Sequence, residues 1–408
     1  MNSTLALFPL AAGYFLSYLF RNVNGLVAAD IMHDLGIGAD RLGQLTSIYF
    51  LTFAAAQLPV GVLLDRYGPR RVQGALLLLA AAGSGLCALP TGFAGLVVGR
   101  ALVGLGTAGG LVAGLKASAE LFPRERLPFV NGGYIMCGGL GALAATLPAE
   151  FALRLTDWRG LLAGLAAAAA AAALAVRVLV PRPVSSAAAE TPVGLGEIVR
   201  DPFFRRFAPL SATCFGTVLA IQGLWAGPWL ADVEGLSRPE VARDLAYMAL
   251  VLIVSAPLWG LLTQWLRRRT TLACAVPAAA LLLIGAEILV ITTHGAAALA
   301  SWCLFAGFGG MTVLSFSVVA DHFPPAAIGR ANSMLNVLHV GMSFAVQLGV
   351  GQIVALWGPA AGRYPAQAYH AGLLLPLGAQ LVTLIWFALP GRVCARGMER
   401  GRAAPAKP

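Results

Sequence analysis

Apolar runs of about twenty residues recur along the whole chain. They fall near 5–29, 42–61, 72–90, 93–118, 128–150, 160–180, 207–230, 241–264, 271–293, 296–320, 331–357 and 370–390, twelve in all. Each is long enough to cross a ~30 Å hydrocarbon core as a helix. In hydrocarbon, every backbone N–H and C=O must find its partner inside the protein, so runs of this length read as helices rather than loops. Of the 408 residues 58% are hydrophobic and 11% charged, where an ordinary soluble domain carries roughly 25% charged residues. The sequence therefore predicts an all-α, multi-pass membrane protein with the lipid bilayer as its main solvent. The first run lacks a basic leader and a small-residue cleavage site, so it is expected to stay in the mature chain.

A formal charge of +10 raises the question of nucleic acid, and the position of the charges answers it. With the amino terminus inside, nineteen of the 28 Lys and Arg fall on the cytoplasmic side, among them Arg66, Arg70, Arg71, Arg124, Arg126, Arg267, Arg268, Arg269 and five in the tail. Six fall outside (Arg41, Arg154, Arg159, Arg238, Arg243 and Arg363), and Arg21, Arg100 and Lys116 lie within spans. This is the positive-inside pattern, with both termini cytoplasmic and no nucleic acid implied. Two lysines against twenty-six arginines in an Ala- and Gly-rich chain point to a GC-rich bacterial genome and hence to a bacterial inner membrane. Of six cysteines, five lie in apolar runs and Cys394 in the tail, with no metal-ligand spacing. They read as small packing residues, and neither metal nor cofactor is expected.

The longest polar interruption, Pro181 to Arg206, separates six runs from six. The expected organisation is a bundle over 1–182, a cytoplasmic linker over 183–205, a second bundle over 206–390 and a basic tail over 391–408. At an offset of 201, Gly106, Gly109, Ala119, Phe122, Pro123 and Asn131 meet Gly307, Gly310, Ala320, Phe323, Pro324 and Asn332. A repeat across six spans implies two pseudo-symmetric six-helix bundles with a site between them.

The loop after the second run reads "GVLLDRYGPRRV": Gly61, Asp65, Arg66, Gly68, Arg70 and Arg71. Asp65 at a helix end can accept hydrogen bonds from arginines or from the amino end of a neighbouring helix, contacts that are strong but breakable. The alternative is that these charges only set topology. The loop resembles the signature between spans two and three of the major facilitator superfamily, whose twelve-span, two-bundle plan covers this whole chain. The resemblance implies a transporter, by default a monomer, in which Asp65 and Arg70 latch the outward-facing state. The counterpart "GLLTQWLRRR" keeps Gly260 and the arginines but has Gln264 for the aspartate.

In span four, Gly104, Gly106 and Gly109 match G-x-G-x-x-G, but no strand precedes them, so a dinucleotide site is rejected. Gly106, Gly110 and Gly114 form instead a ladder for close helix approach. Arg100 in the same span resembles the arginine of a second superfamily motif, which implies a part in coupling. A charge at depth costs ~2.5 to 3.5 kcal/mol, so Arg100 faces a cavity and a partner or snorkels to the surface.

Arg21 lies deep in span one within "YLFRNVNG", and Tyr14, Tyr18, Arg21 and Gly25 share one helical face. Its fork of donors matches a carboxylate or phosphate, or it serves a structural ion pair. The stretch looks like the first span of the superfamily branch that carries organic anions, including sugar acids, where an arginine grips the anion. Asn332, Asn336, His339, Ser343 and Gln347 make a polar stripe on span eleven that lines a cavity or bonds neighbouring helices. Span seven adds Gln222, Trp225 and Trp229, with Trp229 the closer to a bilayer edge.

Glu287 is the acid well inside a span, although the family plan puts the ninth helix at the periphery. Glu150 and Asp30 lie near the outer ends of spans five and one, as proton sites or as solvated ends. The Gly-Pro step of antiporters is not reproduced by "GGLGALAATLP" in span five. The expectation is a secondary transporter working by alternating access, with proton-coupled uptake of a small organic anion. Arg21, Tyr14, Tyr18, Gln222, Trp225, Asn336 and His339 would form its substrate site, with Arg100, Glu150 and Glu287 in coupling. The alternatives are a multidrug or metabolite exporter and a non-transporting receptor; an enzyme is not expected, since no nucleophile and base pair survives inspection.

Overall fold

A computed structural model of the chain describes residues 3–89, 92–123, 126–181, 195–359 and 362–389. Its elements are helices. Ten are long and apolar enough to cross a membrane: Ala39–Leu64, Arg66–Ala88, Gly92–Leu121, Trp158–Leu179, Pro202–Asp232, Arg238–Arg267, Leu272–Thr292, Ala296–His322, Ala327–Val354 and Ala366–Ala388. A bent pair, Val130–Ala144 with Leu147–Leu155 at 46°, supplies another. The first helix, Ser3–Leu35, interrupted by Arg21, Asn22 and Asn24, completes the series in chain order. We call these spans one to twelve. Much of the expected linker, 182–194, and the tail from 390 lie outside the described residues.

Several span starts are set by local hydrogen bonds that satisfy the free N–H groups of a helix's first turn. The Asp157 carboxylate accepts from Gly160 N at 2.7 Å. Asp201 accepts from Phe204 N at 2.8 Å. Glu240 reaches back to accept from Ser237 N and Oγ, at 2.9 and 2.6 Å. Spans two and three run on from one another and are separated only at Gly68, where φ is 77°. A side chain there would sit in the left-handed region, so Gly68→Ala is expected to cost about 1–2 kcal/mol, measurable as a lower unfolding midpoint in detergent.

The internal repeat is visible as a shared defect. Span four breaks between Thr107 and Gly110, and span ten passes through a 3₁₀ turn at Phe308–Met311. A break inside a membrane helix frees backbone carbonyls that need a donor. In span four Gln57 of span two donates to Ala108 O at 3.3 Å; in span ten Trp259 of span eight donates to Gly307 O at 2.9 Å. The glycines at these breaks are contact surfaces. A Cβ on Gly106 would collide with the backbone of Leu76 and Ala80, and one on Gly310 would lie 2.9 Å from Ser255 C. The rungs of the four-residue ladder meet different neighbours: Gly106 faces span three, Gly110 meets Tyr14 of span one and Gly114 meets Tyr134 of span five, so it serves three partner helices.

By packing, the chain divides into two units. The first joins Met1–Ala188 with Ala220–Leu250 and Ser343–Gly372; the second joins Ala189–Leu219, Val251–Met342 and Leu373–Pro408. Spans seven, eight, eleven and twelve therefore each pass from one unit to the other. In span seven the passage falls immediately before a π-helical turn, Ile221–Trp225, a distortion found often at functional sites.

Candidate anion site and its surroundings

Arg21 is 7% exposed and is held among aromatic rings of the first unit. Its guanidinium carbon lies 4.9 Å from the Tyr18 ring, 4.9 Å from Phe53 and 5.8 Å from Phe50. Ring faces attract a cation without using its N–H donors, and the Arg21 Nε is buried without a hydrogen-bond partner. The helix of span one comes close to the π turn of span seven because glycines face each other there. A Cβ on Gly25 would stand 3.5 Å from Leu224 O, and one on Gly227 would collide with Gly25 O.

Gly223 in that turn is the focus of the arrangement. Its side-chain position lies 3.6 Å from Gln347 Nε2, 3.8 Å from Arg21 O and 3.9 Å from the Phe50 ring. Gln222 Nε2 and Trp225 Nε1, on the same turn, are buried without partners, as is Gln347 Oε1. Gln347 donates through Nε2 to Ala220 O at 3.2 Å, which fixes the amide and leaves its carbonyl oxygen free. Buried polar groups are almost always paired, and these four atoms on three spans have no partner among the described residues. Three are N–H donors, one of them cationic. That set is complementary to an anion.

The two asparagines beside Arg21 have different tasks. Asn22 Nδ2 donates to Tyr18 O at 2.8 Å, within the helix. Asn24 Oδ1 accepts a hydrogen bond from Arg100 of span four, which also donates to Phe20 O at 3.5 Å. Arg100 is 2% exposed, so it does not snorkel but ties span four to span one. Asn24→Leu would leave this guanidinium short of an acceptor and is expected to cost about 1.5–3 kcal/mol, read from the unfolding midpoint. Tyr14 is packed rather than open: it stacks on Tyr134 at 5.2 Å and meets Tyr18 edge-on at 5.2 Å.

One end of this unit carries a cluster of paired charges. Arg238 Nε pairs with Glu150 at 2.9 Å and Arg238 Nη1 with Asp30 at 3.3 Å, while Arg154 lies 3.5 Å from Glu150. Glu150 is not a solvated helix end, as the sequence allowed, but 2% exposed. At the same end Tyr364 accepts from Ala39 N at 2.9 Å, and Asp232 accepts from Tyr364 N and Tyr369 Oη at 3.1 and 2.6 Å. Trp229, read from sequence as nearer the bilayer edge, is buried, so it is a packing residue and not an interfacial anchor.

The model of the Major Facilitator Superfamily matches residues 10–348. The chain belongs to that superfamily. A bacterial homologue of the human lysosomal transporter Spinster, crystallised in an inward-facing, unoccupied conformation, superposes with a TM-score of 0.82 at 18% identity over 99% of either chain. A D-xylose–proton symporter gives 0.71 at 14% identity, over 96% of this chain and 98% of its own. These likenesses establish the fold. In sequence the chain is 29% identical over 147 residues to the hexuronate transporter of Escherichia coli K12, covering 36% of this chain and 34% of the relative. It is 26% identical over 280 residues to a probable sulfoacetate transporter of Cupriavidus necator, 63% of this chain and 64% of the relative. It is 32% identical over 129 residues to a nitrate/nitrite transporter of Picosynechococcus, 32% of this chain and 24% of the relative. The chain thus matches between about a quarter and two thirds of the length of these curated relatives.

The loop over residues 61–71 lies at the junction of spans two and three. The Asp65 side chain lies outside the described residues. Arg66 and Arg71 are exposed and Arg70 half-exposed, and Lys116 donates to Leu64 O at 2.9 Å. A Cβ on Gly61 would meet nothing within 4 Å, so packing within this conformation gives no reason for that glycine.

Asn336 and His339 belong to the second unit. His339 is buried, its Nε2 2.9 Å from Ser211 Oγ, which lies 2.9 Å from Ser315 Oγ. Phe215 and Phe316 flank the ring at 5.0 and 5.9 Å. Asn336 is half-buried. Glu287 is fully buried beside Gln380 of span twelve, whose Nε2 donates to it at 2.9 Å. Cys87 and Cys214 are buried as packing residues should be, but Cys274 is exposed on its span. Sequence reasoning missed Phe50 and Phe53, three apart in "YFLTF", and placed Gln347 only within a stripe.

Proposed function

We propose that this transporter carries a small organic anion, such as a sugar acid or another small carboxylate, into the cell together with protons. The observation that carries the reading is a set of buried donors without partners: the Nε of the Arg21 guanidinium, the Gln222 amide N–H and the Trp225 indole N–H, with the free carbonyl of Gln347. The named cargoes of the relatives share this chemistry, since hexuronate, sulfoacetate and nitrate are all small anions. An arginine within rings already presents its positive charge to the site, which disfavours the lipophilic cations of a multidrug exporter. Tyr18 and Trp225 would shape the pocket and Tyr14 support it from behind.

In this reading the transporter is a monomer of the inner membrane with both termini cytoplasmic. The bundles are 1–182 and 206–390, and the end bearing Arg238 faces the periplasm. The loop of Gly61, Asp65, Arg66, Gly68, Arg70 and Arg71 would latch the opposite face during alternating access, while Arg100 and Glu150 couple span movements. The test is uptake and counterflow in proteoliposomes with a panel of hexuronates, small carboxylates, sulfonates, nitrate, neutral sugars and lipophilic cations. Saturable uptake of one anion class, increased by an inward proton gradient, is expected. Transport of cations alone, or none of the anions, would overturn the reading.

A further inference from the structure

The second unit holds an acid that the anion site does not use. Glu287, in the last third of span nine, is 1% exposed, and Gln380 opposite it is fully buried. One carboxyl oxygen, Oε2, accepts from Gln380 Nε2 at 2.9 Å. The other, Oε1, has no partner, and neither has Gln380 Oε1. No lysine, arginine or histidine pairs with Glu287 among the described residues. The titratable group facing it from span seven is the Cys214 thiol. Span ten, which also packs on span nine, has its ionisable groups at Cys303, Asp321 and His322, and the last two pair elsewhere, with Arg267 at 2.9 Å and Asp201 at 3.1 Å.

A carboxylate buried in an apolar surrounding with no counter-charge does not stay ionised; it takes up a proton and becomes a neutral acid. A protonated Glu287 has an O–H to donate, and the amide beside it, turned about its end, offers an oxygen to receive it. The pair thus satisfies itself once a proton is present and is two partners short without it.

We propose that Glu287, with Gln380 as its partner, is a proton-binding site of this transporter, distinct from the Arg21 site and loaded in the described conformation. Release is a simple ionisation: the O–H bond breaks, the proton passes to water and the carboxylate remains. Because the buried form requires the proton, ionisation goes with a conformation in which the Glu287 surroundings are hydrated, and this links proton loading to the transport cycle. The transport arm of the test rests on the proton-coupled reading above; the spectroscopic arm does not.

Infrared spectra of the purified full-length transporter should contain a protonated-carboxyl C=O band at neutral pH that shifts on deuteration and is missing in Glu287→Gln. In proteoliposomes, Glu287→Gln should keep anion counterflow, which needs no net proton movement. It should lose the ~tenfold accumulation that a one-unit pH gradient supports for one proton per anion. Gln380→Leu, which keeps the acid but removes its partner, should move the band to the frequency of an unbonded acid and serves if Glu287→Gln does not fold. A band unchanged in both variants, or gradient-driven accumulation surviving in Glu287→Gln, would overturn the proposal. So would a sodium requirement abolished by Glu287→Gln without any carboxyl band. If the wild type itself fails to accumulate anion, the coupled reading fails, and the band alone then decides whether Glu287 holds a proton.

Discussion

Replacing Arg238 by alanine is expected to open the charged end of the first unit. Arg238 stands between Glu150 at 2.9 Å and Asp30 at 3.3 Å. Removing it leaves the buried Glu150 carboxylate with only the distant Arg154 at 3.5 Å, which is itself largely exposed. Losing a hydrogen bond to a buried charged group costs about 1.5–3 kcal/mol, and replacing both partners costs much less. Arg238→Ala should therefore favour the conformation in which this end is hydrated, by ~10-fold or more. The readout is maleimide labelling of Ala39→Cys, a buried position tied to Tyr364, in a cysteine-free background. Labelling should rise sharply in Arg238→Ala and fall back in Arg238→Ala/Glu150→Ala. Equal labelling in all three would show that the charges are not what holds this end.

The second large effect is at Arg21. Truncating one member of a buried charged hydrogen-bonded pair costs about 2–5 kcal/mol, so Arg21→Ala should weaken anion binding by ~30-fold to ~10³-fold. Arg21→Lys keeps a charge but not the planar fork, and should fall between the two. Methionine is uncharged but fills the space among the rings of Tyr18, Phe50 and Phe53, so Arg21→Met should lose as much anion affinity as Arg21→Ala yet remain folded. Substrate affinities from ligand-induced thermal shifts, alongside the unfolding midpoint without ligand, separate these effects.

The span count, the break at Gly68 and the repeat were legible because each is written locally: hydropathy over twenty residues, a glycine in a charged turn, glycines at a fixed offset. The face of Arg21 with Tyr18 was legible for the same reason, since helical spacing is a property of one segment. What surrounds that face was not. Phe50, Phe53 and Gln347 reach Arg21's neighbourhood from spans two and eleven, and the π turn at Ile221–Trp225 has no marker in its own sequence beyond Gly223. Asn24 accepting from Arg100, 76 residues away, and Arg238 meeting Glu150 are tertiary pairings that no spacing rule predicts. Glu150 looked like a solvated end because its exposure depends on a partner almost ninety residues further along. Glu287 was legible as an acid well inside a span, and the family plan placed its helix at the periphery; its partners Gln380 and Cys214 come from other spans.

The central claim is that Arg21 reads negative charge, and calorimetric binding of a charge-matched pair tests it most directly. Galacturonate and galactose present similar rings and differ in the carboxylate. The wild type is predicted to bind the acid at least ~30-fold more tightly than the neutral sugar, and Arg21→Gln to bind the two alike. Equal affinities in the wild type with binding of other anions absent, or a preference for the acid that survives in Arg21→Gln, would contradict the account.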